Sequence, residues 1–442
     1  MVVEVEPRAG SGAQRSEAEG SRLGYFVILV GIWVAGLIAV NQWGDAINER
    51  QPMKINAPPL FGHIDLEISR RILLPIALAS LIIAFGLRAA RTLPWRYLLA
   101  TAAVAALGWA LALALVNGPE ALTNPLERST DYLTNLPLTG SVGDFLGGYV
   151  RDLDSYSLHA EGHPPGVLLF FWGLDWIGLG GAGAAAAVIL IAAASMVPAV
   201  LLTVRELAGE GPARRAAPFL ALTPAAVWIA TSVDALFMAI GAWGIALMTM
   251  ALKRTGPRSD VLGLTAGAVL GAGLFMSYGL VPLGLVLLVL GIGLRRIRPL
   301  ILGGAAVLLV AAVFAAFGFW WWDGLSATMD RYEMGAASRR PYYYFVVANI
   351  AALSLVLGPA VLAGLGRLRD RRMWLLCGGT LVAVAVSNLS GFSKGEVERI
   401  WLPFVPWLIV AAASLPSTGL RYMLAAQGGV ALAIQVGVRT PW

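Results

Sequence analysis

Residues 182–204 read AGAAAAVILIAAASMVPAVLLTV and are followed at once by Arg205. The run holds no ionisable side chain, and as a helix it is long enough to cross the roughly 30 Å hydrocarbon layer of a bilayer. Runs of the same kind recur on both sides of it along almost the whole chain. The pattern predicts spans at 23–42, 71–87, 97–116, 182–204, 217–232, 235–252, 261–278, 280–294, 299–319, 345–366, 373–390, 401–416 and 422–438. The fold class that follows is an all-α, polytopic transmembrane helical bundle with about 13 membrane-spanning helices.

Composition excludes the soluble alternatives. Of 442 residues, 58% are hydrophobic and 13% are charged, about half the charged fraction of an ordinary soluble domain. The single cysteine, Cys377, lies inside an apolar run, so no disulfide framework is available. The first 22 residues are polar and of mixed charge, and read as a short disordered cytoplasmic tail. The net charge of +6 does not indicate a nucleic-acid partner, because its distribution has another explanation.

That explanation is topology. With the N-terminus in the cytoplasm, alternate short loops carry Arg88/Arg91/Arg96, Arg205/Arg214/Arg215, Lys253/Arg254/Arg258, Arg295/Arg296/Arg298 and Arg367/Arg369/Arg371/Arg372. Basic residues concentrate in cytoplasmic loops of this length. The alternation requires residues 164–180 not to cross; flanked by Pro and Gly, they read as a re-entrant or interfacial helix. The extracytoplasmic side then receives the long segments 43–70, 117–180, 320–344 and 391–400, with all three histidines and most of the acids. The chemistry is therefore expected there, in a multi-pass protein of the cell membrane. No nucleotide-binding loop is present, so an activated substrate must be lipid-borne or come from outside.

Three constellations could carry that chemistry. The loop 117–163 offers Asp131 beside Tyr132, then Asp152, Asp154, His159 and His163. A carboxylate at the membrane surface can accept a proton from an acceptor hydroxyl. His159 and His163 flank Glu161, but Pro164 and Pro165 discourage a continuous helix there and no zinc-protease pattern exists, so no metal is expected. The segment 320–345 ends SRRPYYYF and holds Arg331, Arg339, Arg340 and Tyr342. Its arginines are out of place in an outer loop and suit a lipid phosphate. The segment 391–408, GFSKGEVERIWLPFVPWL, places Lys394 and Arg399 around Glu396 and Glu398. Asp234, in a hairpin between two apolar runs, is an intramembrane ionisable group and hence a site candidate, although helix capping also explains it.

At HPPGVLLFFWGL (163–174) the sequence resembles the GT-C superfamily of membrane glycosyltransferases, most of all the protein-O-mannosyltransferase and aminoarabinose-transferase branch, which has HPPL here. VRELAGEGPARR (204–215), LTPAAVWIATSVDALFMAIGAW (222–243) and EVERIWLPFVPWL (396–408) extend the likeness over roughly residues 97–416. The resemblance implies a GT-C-like catalytic module at 97–442, preceded at 23–96 by two additional helices and an outer loop. It also implies an inverting transfer of sugar from a polyprenyl-phosphate donor to a glycan, lipid or protein acceptor, without a cofactor. The family's first-loop Asp-Glu dipeptide is missing, and HPPG replaces HPPL. The base is therefore open among Asp131, Asp152 and Asp154, with Asp131 preferred for its position after a span and upstream of His163. Substrate-binding roles are expected for Tyr132, His159, Asp234, Arg331, Arg339, Arg340, Tyr342, Lys394, Glu398 and Arg399. The rival readings are a transporter or lipid flippase without chemistry and a non-catalytic assembly subunit. Outer polar loops and the absence of an inverted repeat weigh against the transporter. The excess of Arg over Lys points to a GC-rich bacterial source.

Overall fold

The computed structural model describes residues 11–138, 140–230 and 232–440, with side chains from residue 28 onward. Helices dominate. The strands present among the described residues are a two-residue antiparallel ribbon, His63–Ile64 against Val438–Arg439. Among the described residues, eight helices are long and apolar enough to cross a membrane: Ile28–Arg50, Arg70–Thr92, Trp95–Asn117, Ala182–Ala208, Val233–Leu252, Arg298–Ala316, Arg371–Leu389 and Val397–Ser414. The pair Tyr342–Leu357 and Pro359–Leu365 passes the same test only when its two helices are taken together, and it is bent by 103°. Its break falls at Gly358, whose φ of +74° suits glycine alone, and Pro359 opens the next turn.

The other four expected spans are shorter or more polar, each for a local reason. Over 217–232 the chain is not one helix. The helix Glu210–Ala221 ends at Leu222, a tight turn runs over Pro224–Trp228, and Ser232 caps a new helix. Leu283–Gly293 has only 11 residues, about 16 Å of helix. Pro257–Leu274 and Leu420–Gly437 are long enough, but Arg258 and Asp260 in one and Arg421, Gln427 and Gln435 in the other dilute their apolarity. The segment expected to stay on one side forms the helix Gly166–Trp176, also 11 residues, too short to cross. At the N-terminus the helix already begins at Ser11, so residues 11–22, expected to be an irregular tail, are helical; residues 1–10 lie outside the described set.

Burial sorts the helices into layers. In Val397–Ser414 and Val233–Leu252, 89% and 78% of the span is buried; in Ile28–Arg50 and Arg298–Ala316 the figures are 6% and 17%. The first pair forms the interior, and the second presents Ile32, Ile38, Leu308 and Leu309 outward, as a lipid-facing helix must. Small residues let the helices approach. A Cβ on Gly267 would collide with the backbone of Gly303, and one on Gly263 would lie 3.0 Å from the Pro299 carbonyl oxygen. This is the small-residue packing that membrane helices use in place of a hydrophobic driving force. Gly267→Val should push Pro257–Leu274 off Arg298–Ala316 and destabilise the bundle by about 1–3 kcal/mol. Gly304→Ala, where nothing lies within 4 Å, should not. Thermal melts in detergent would compare them, and equal midpoints would dissolve the packing argument.

The chain's polar segments gather at the two ends. At one end the basic groups meet helix termini: Arg214 donates to the Ala90 and Leu93 carbonyls, Arg372 to Leu207, and Arg254 pairs with Glu206 at 2.8 Å. These are exposed carbonyls that a helix cannot satisfy internally. At the other end the long segments interlock: Gln51 donates to the Arg339 carbonyl, Arg340 to that of Met53, and Arg331 pairs with Glu161. This division matches the one that the charge pattern drew.

A candidate active site at the loop end of the bundle

Two local motifs build the site. Asp131 caps a short 3-10 turn, Tyr132–Asn135, its Oδ1 accepting the Tyr132 amide at 2.7 Å. Its other oxygen, Oδ2, lies 3.0 Å from His159 Nδ1. The His159 ring is brought there by a backbone bond from its own amide to the Thr130 carbonyl, 3.0 Å. Opposite, Ser232 caps the helix Val233–Leu252, accepting the Asp234 amide at 3.3 Å while its hydroxyl donates to Asp234 Oδ2 at 3.1 Å. An acid in the first helical turn suits the positive end of the helix dipole.

Asp234 meets Arg399, which the short helix Val397–Ile400 delivers. Nη1 lies 2.6 Å from Asp234 Oδ2, and Nη2 lies 3.0 Å from Glu396 Oε2. Glu396 is held in a left-handed conformation, φ +62°, which turns its side chain back toward Arg399. Strain of this kind in a non-glycine residue persists only where neighbours hold it. The two halves face one another across an open cleft of about 420 Å³, solvent at its mouth included. Pro125, Arg128, Thr130, Asp131, Tyr132, His159, Ser232, Val233, Asp234 and Arg399 line it.

His163 stands behind this cleft. Its Nδ1 lies 2.8 Å from the His159 carbonyl and 3.0 Å from the Tyr132 hydroxyl. A carbonyl only accepts, so Nδ1 carries the hydrogen. The Tyr149 hydroxyl spans the Ala160 and His163 carbonyls at 2.8 and 2.9 Å and fixes the His-Pro-Pro turn. Burial pushes the His163 imidazole down to about 4, and burial together with the Asp234 and Asp131 charges raises the Tyr132 hydroxyl well above its usual range. Both are therefore neutral at pH 7, suited to shaping the site.

A histidine whose folded-state pKa is depressed stabilises fully above its unfolded value, and that stability is lost as pH falls from 6.5 toward 4, because only the unfolded chain takes up the proton there. A shift of this size corresponds to about 3 kcal/mol. The melting temperature of the parent should therefore drop more between pH 7 and 4.5 than that of His163→Gln. Parallel curves would remove His163 from the acid sensitivity.

The structure brings together Asp131, Tyr132, His159, Asp234 and Arg399 in the cleft, with His163 directly behind. It does not bring the remaining candidates there. Asp152 pairs with Arg151 at the surface, 2.8 Å. Asp154 and Glu161 both engage Arg331, at 3.2 and 2.8 Å. The three side chains that could have formed a metal site thus diverge: His159 to Asp131, His163 to Tyr132, Glu161 to Arg331. Arg340 is buried and donates to the Met53 and Lys394 carbonyls, 3.0 and 2.6 Å. Lys394 donates to the Ser338 carbonyl, Tyr342 to that of Leu389, and Arg339 is exposed away from the cleft. Glu398 is fully buried, with Oε1 accepting the Phe61 amide at 2.8 Å.

These displaced residues form a brace. Loop 51–61 is tied through Arg340 to Lys394 and through Phe61 to Glu398, so the N-terminal loop holds the segment that presents Arg399. Arg128 was missed by the sequence reading. Its signal was its place three residues before Asp131, on the same turn.

No family model matches the chain, and no curated protein matches it. A solved structure of an oligosaccharyltransferase from Archaeoglobus fulgidus, crystallised with zinc and sulfate, is similar at 13% identity and a TM-score of 0.46. The similarity covers 78% of this chain and 54% of that one, so the chain spans about half the length of that protein. A likeness at this level carries no weight for the site, which rests on its own geometry.

Proposed function

We propose that the chain is a GT-C-type membrane glycosyltransferase that moves a sugar from a polyprenyl-phosphate donor to an acceptor hydroxyl on the extracytoplasmic side. The observation that carries this reading is the cleft itself. An acid held by a histidine, Asp131 with His159, faces an arginine held by two acids, Arg399 with Asp234 and Glu396, at the polar end of an apolar bundle.

In this reading Asp131 accepts the proton of the acceptor hydroxyl, whose oxygen attacks the anomeric carbon. The bond from that carbon to the phosphate oxygen breaks on the opposite face, and its electron pair leaves with the lipid phosphate, so configuration inverts. The His159 contact orients the Asp131 carboxylate, and buried, neutral Tyr132 walls the site. Such a displacement gains most from charge stabilisation prepared in advance. The N-terminal loop acts as the brace for Arg399, a role for the two extra helices that fits their position in the chain.

The decisive experiment incubates the protein, purified into nanodiscs, with a panel of polyprenyl-phosphate sugars and hydroxyl acceptors, and measures released polyprenyl phosphate. Release that depends on Asp131 supports the reading; no release from any donor sinks it. Sidedness is tested separately. Cys377 is buried, so a cysteine placed at exposed Ser155 or Glu333 should label with an impermeant thiol reagent in sealed cells, and one at Thr255 should not. The reverse pattern would invert the protein in the membrane.

A further inference from the structure

We infer that Arg128 receives the phosphate group of a lipid-linked substrate at the mouth of this cleft. The inference rests on the proposed transfer and deepens it by naming the group that grips the leaving phosphate.

The argument begins with charge. A lipid phosphate that leaves as a sugar departs gains negative charge, and it must do so beside two carboxylates, Asp131 and Asp234. A cation already balanced by carboxylates offers little to such a group. Arg399 is balanced twice, by Asp234 and by Glu396. Arg331 is balanced by Glu161 and Asp154, and Arg340 is buried against backbone carbonyls and Glu396. Arg399 and Arg340 cannot turn to a phosphate without stranding a buried partner, which is costly, and Arg331 does not line the cleft.

Arg128 differs in each respect. It lines the cleft with Asp131 and Arg399, its side chain is exposed, and its guanidinium has no ion pair among the described residues. Its backbone, by contrast, is fixed: the Arg128 carbonyl accepts the Asp131 amide at 2.9 Å. The base of the side chain is thus anchored three residues from the proposed proton acceptor while the head remains available. A planar guanidinium can meet two phosphate oxygens at once, which an ammonium cannot. In the transfer, the acceptor's proton goes to Asp131 and the electron pair of the breaking carbon–oxygen bond goes to the phosphate oxygen. Arg128 faces the charge that this oxygen acquires.

The test measures binding of polyprenyl phosphate to the parent, Arg128→Ala, Arg128→Lys and Arg151→Ala in nanodiscs of neutral lipid, with polyprenol, which lacks the phosphate, run in parallel. Arg128→Ala should weaken polyprenyl-phosphate binding about tenfold or more, the scale of hydrogen bonds to a charged group. Arg128→Lys should recover part of the loss, Arg151→Ala should match the parent, and polyprenol should bind all four proteins alike. If Arg128→Ala binds polyprenyl phosphate as the parent does, or loses polyprenol equally, Arg128 is not the phosphate residue, while the transferase reading stands. If the parent itself binds no polyprenyl phosphate, the transferase reading fails and this inference with it.

Discussion

Asp131→Asn is expected to leave the bundle folded and donor binding nearly intact, while transfer falls by about 10² or more, the usual scale for removing a general base. The amide oxygen can still accept the Tyr132 amide, as Oδ1 does now at 2.7 Å, so the turn keeps its cap. What changes is the side facing His159. An amide nitrogen there is a donor, and His159 Nδ1, now 3.0 Å from a carboxylate oxygen, would have to become the acceptor. The variant thus loses the proton acceptor and reverses the tautomer that the pair prefers. Asp152→Asn and Asp154→Asn are the controls, because each alters the same loop's charge without touching the cleft. Turnover of all three at saturating donor decides the matter. Activity near the parent in Asp131→Asn, with either control inactive, would transfer the role to that control.

Arg399→Met should produce the second large loss, this time in stability as well as transfer. The guanidinium is buried between Asp234 and Glu396, and removing one member of a buried ion pair costs about 3–5 kcal/mol because its partner is left uncompensated. Asp234→Asn should cost less, since Arg399 keeps Glu396. The double variant, Asp234→Asn with Arg399→Met, should be more stable than Arg399→Met alone, because one stranded charge has been removed with its partner. Thermal unfolding in detergent measures all three. Strict additivity of the two single losses would show that the residues do not act as a pair.

The sequence by itself determined the membrane class and the division of the chain into two ends. Both follow from local composition: runs such as 182–204 have no place in water, and arginines in short loops mark one side. The sequence also pointed to the HPP turn, to Asp131 and, separately, to Asp234 and Arg399, because an ionisable group beside an apolar run must find a partner; that the last two are each other's partner came from the fold.

Only the tertiary structure decided which candidates share a site. Arg331 and Arg340 read as phosphate-binding candidates, and Lys394 and Glu398 as substrate-binding ones, because they lie in polar outer segments. In the fold each is used up by a distant partner, Glu161, Met53, Ser338 and Phe61 respectively. Those partners lie far away along the chain, and nothing in local pattern announces them. At 217–232 and 280–294 the structure breaks or shortens the expected helices for a related reason: hydropathy is indifferent to whether proline, a capping serine or a short helix interrupts the run. Charge and apolarity act locally and are written in the chain. Pairing of buried charges is a property of the packed bundle, where each must be balanced by whatever group the fold brings within 3 Å or so.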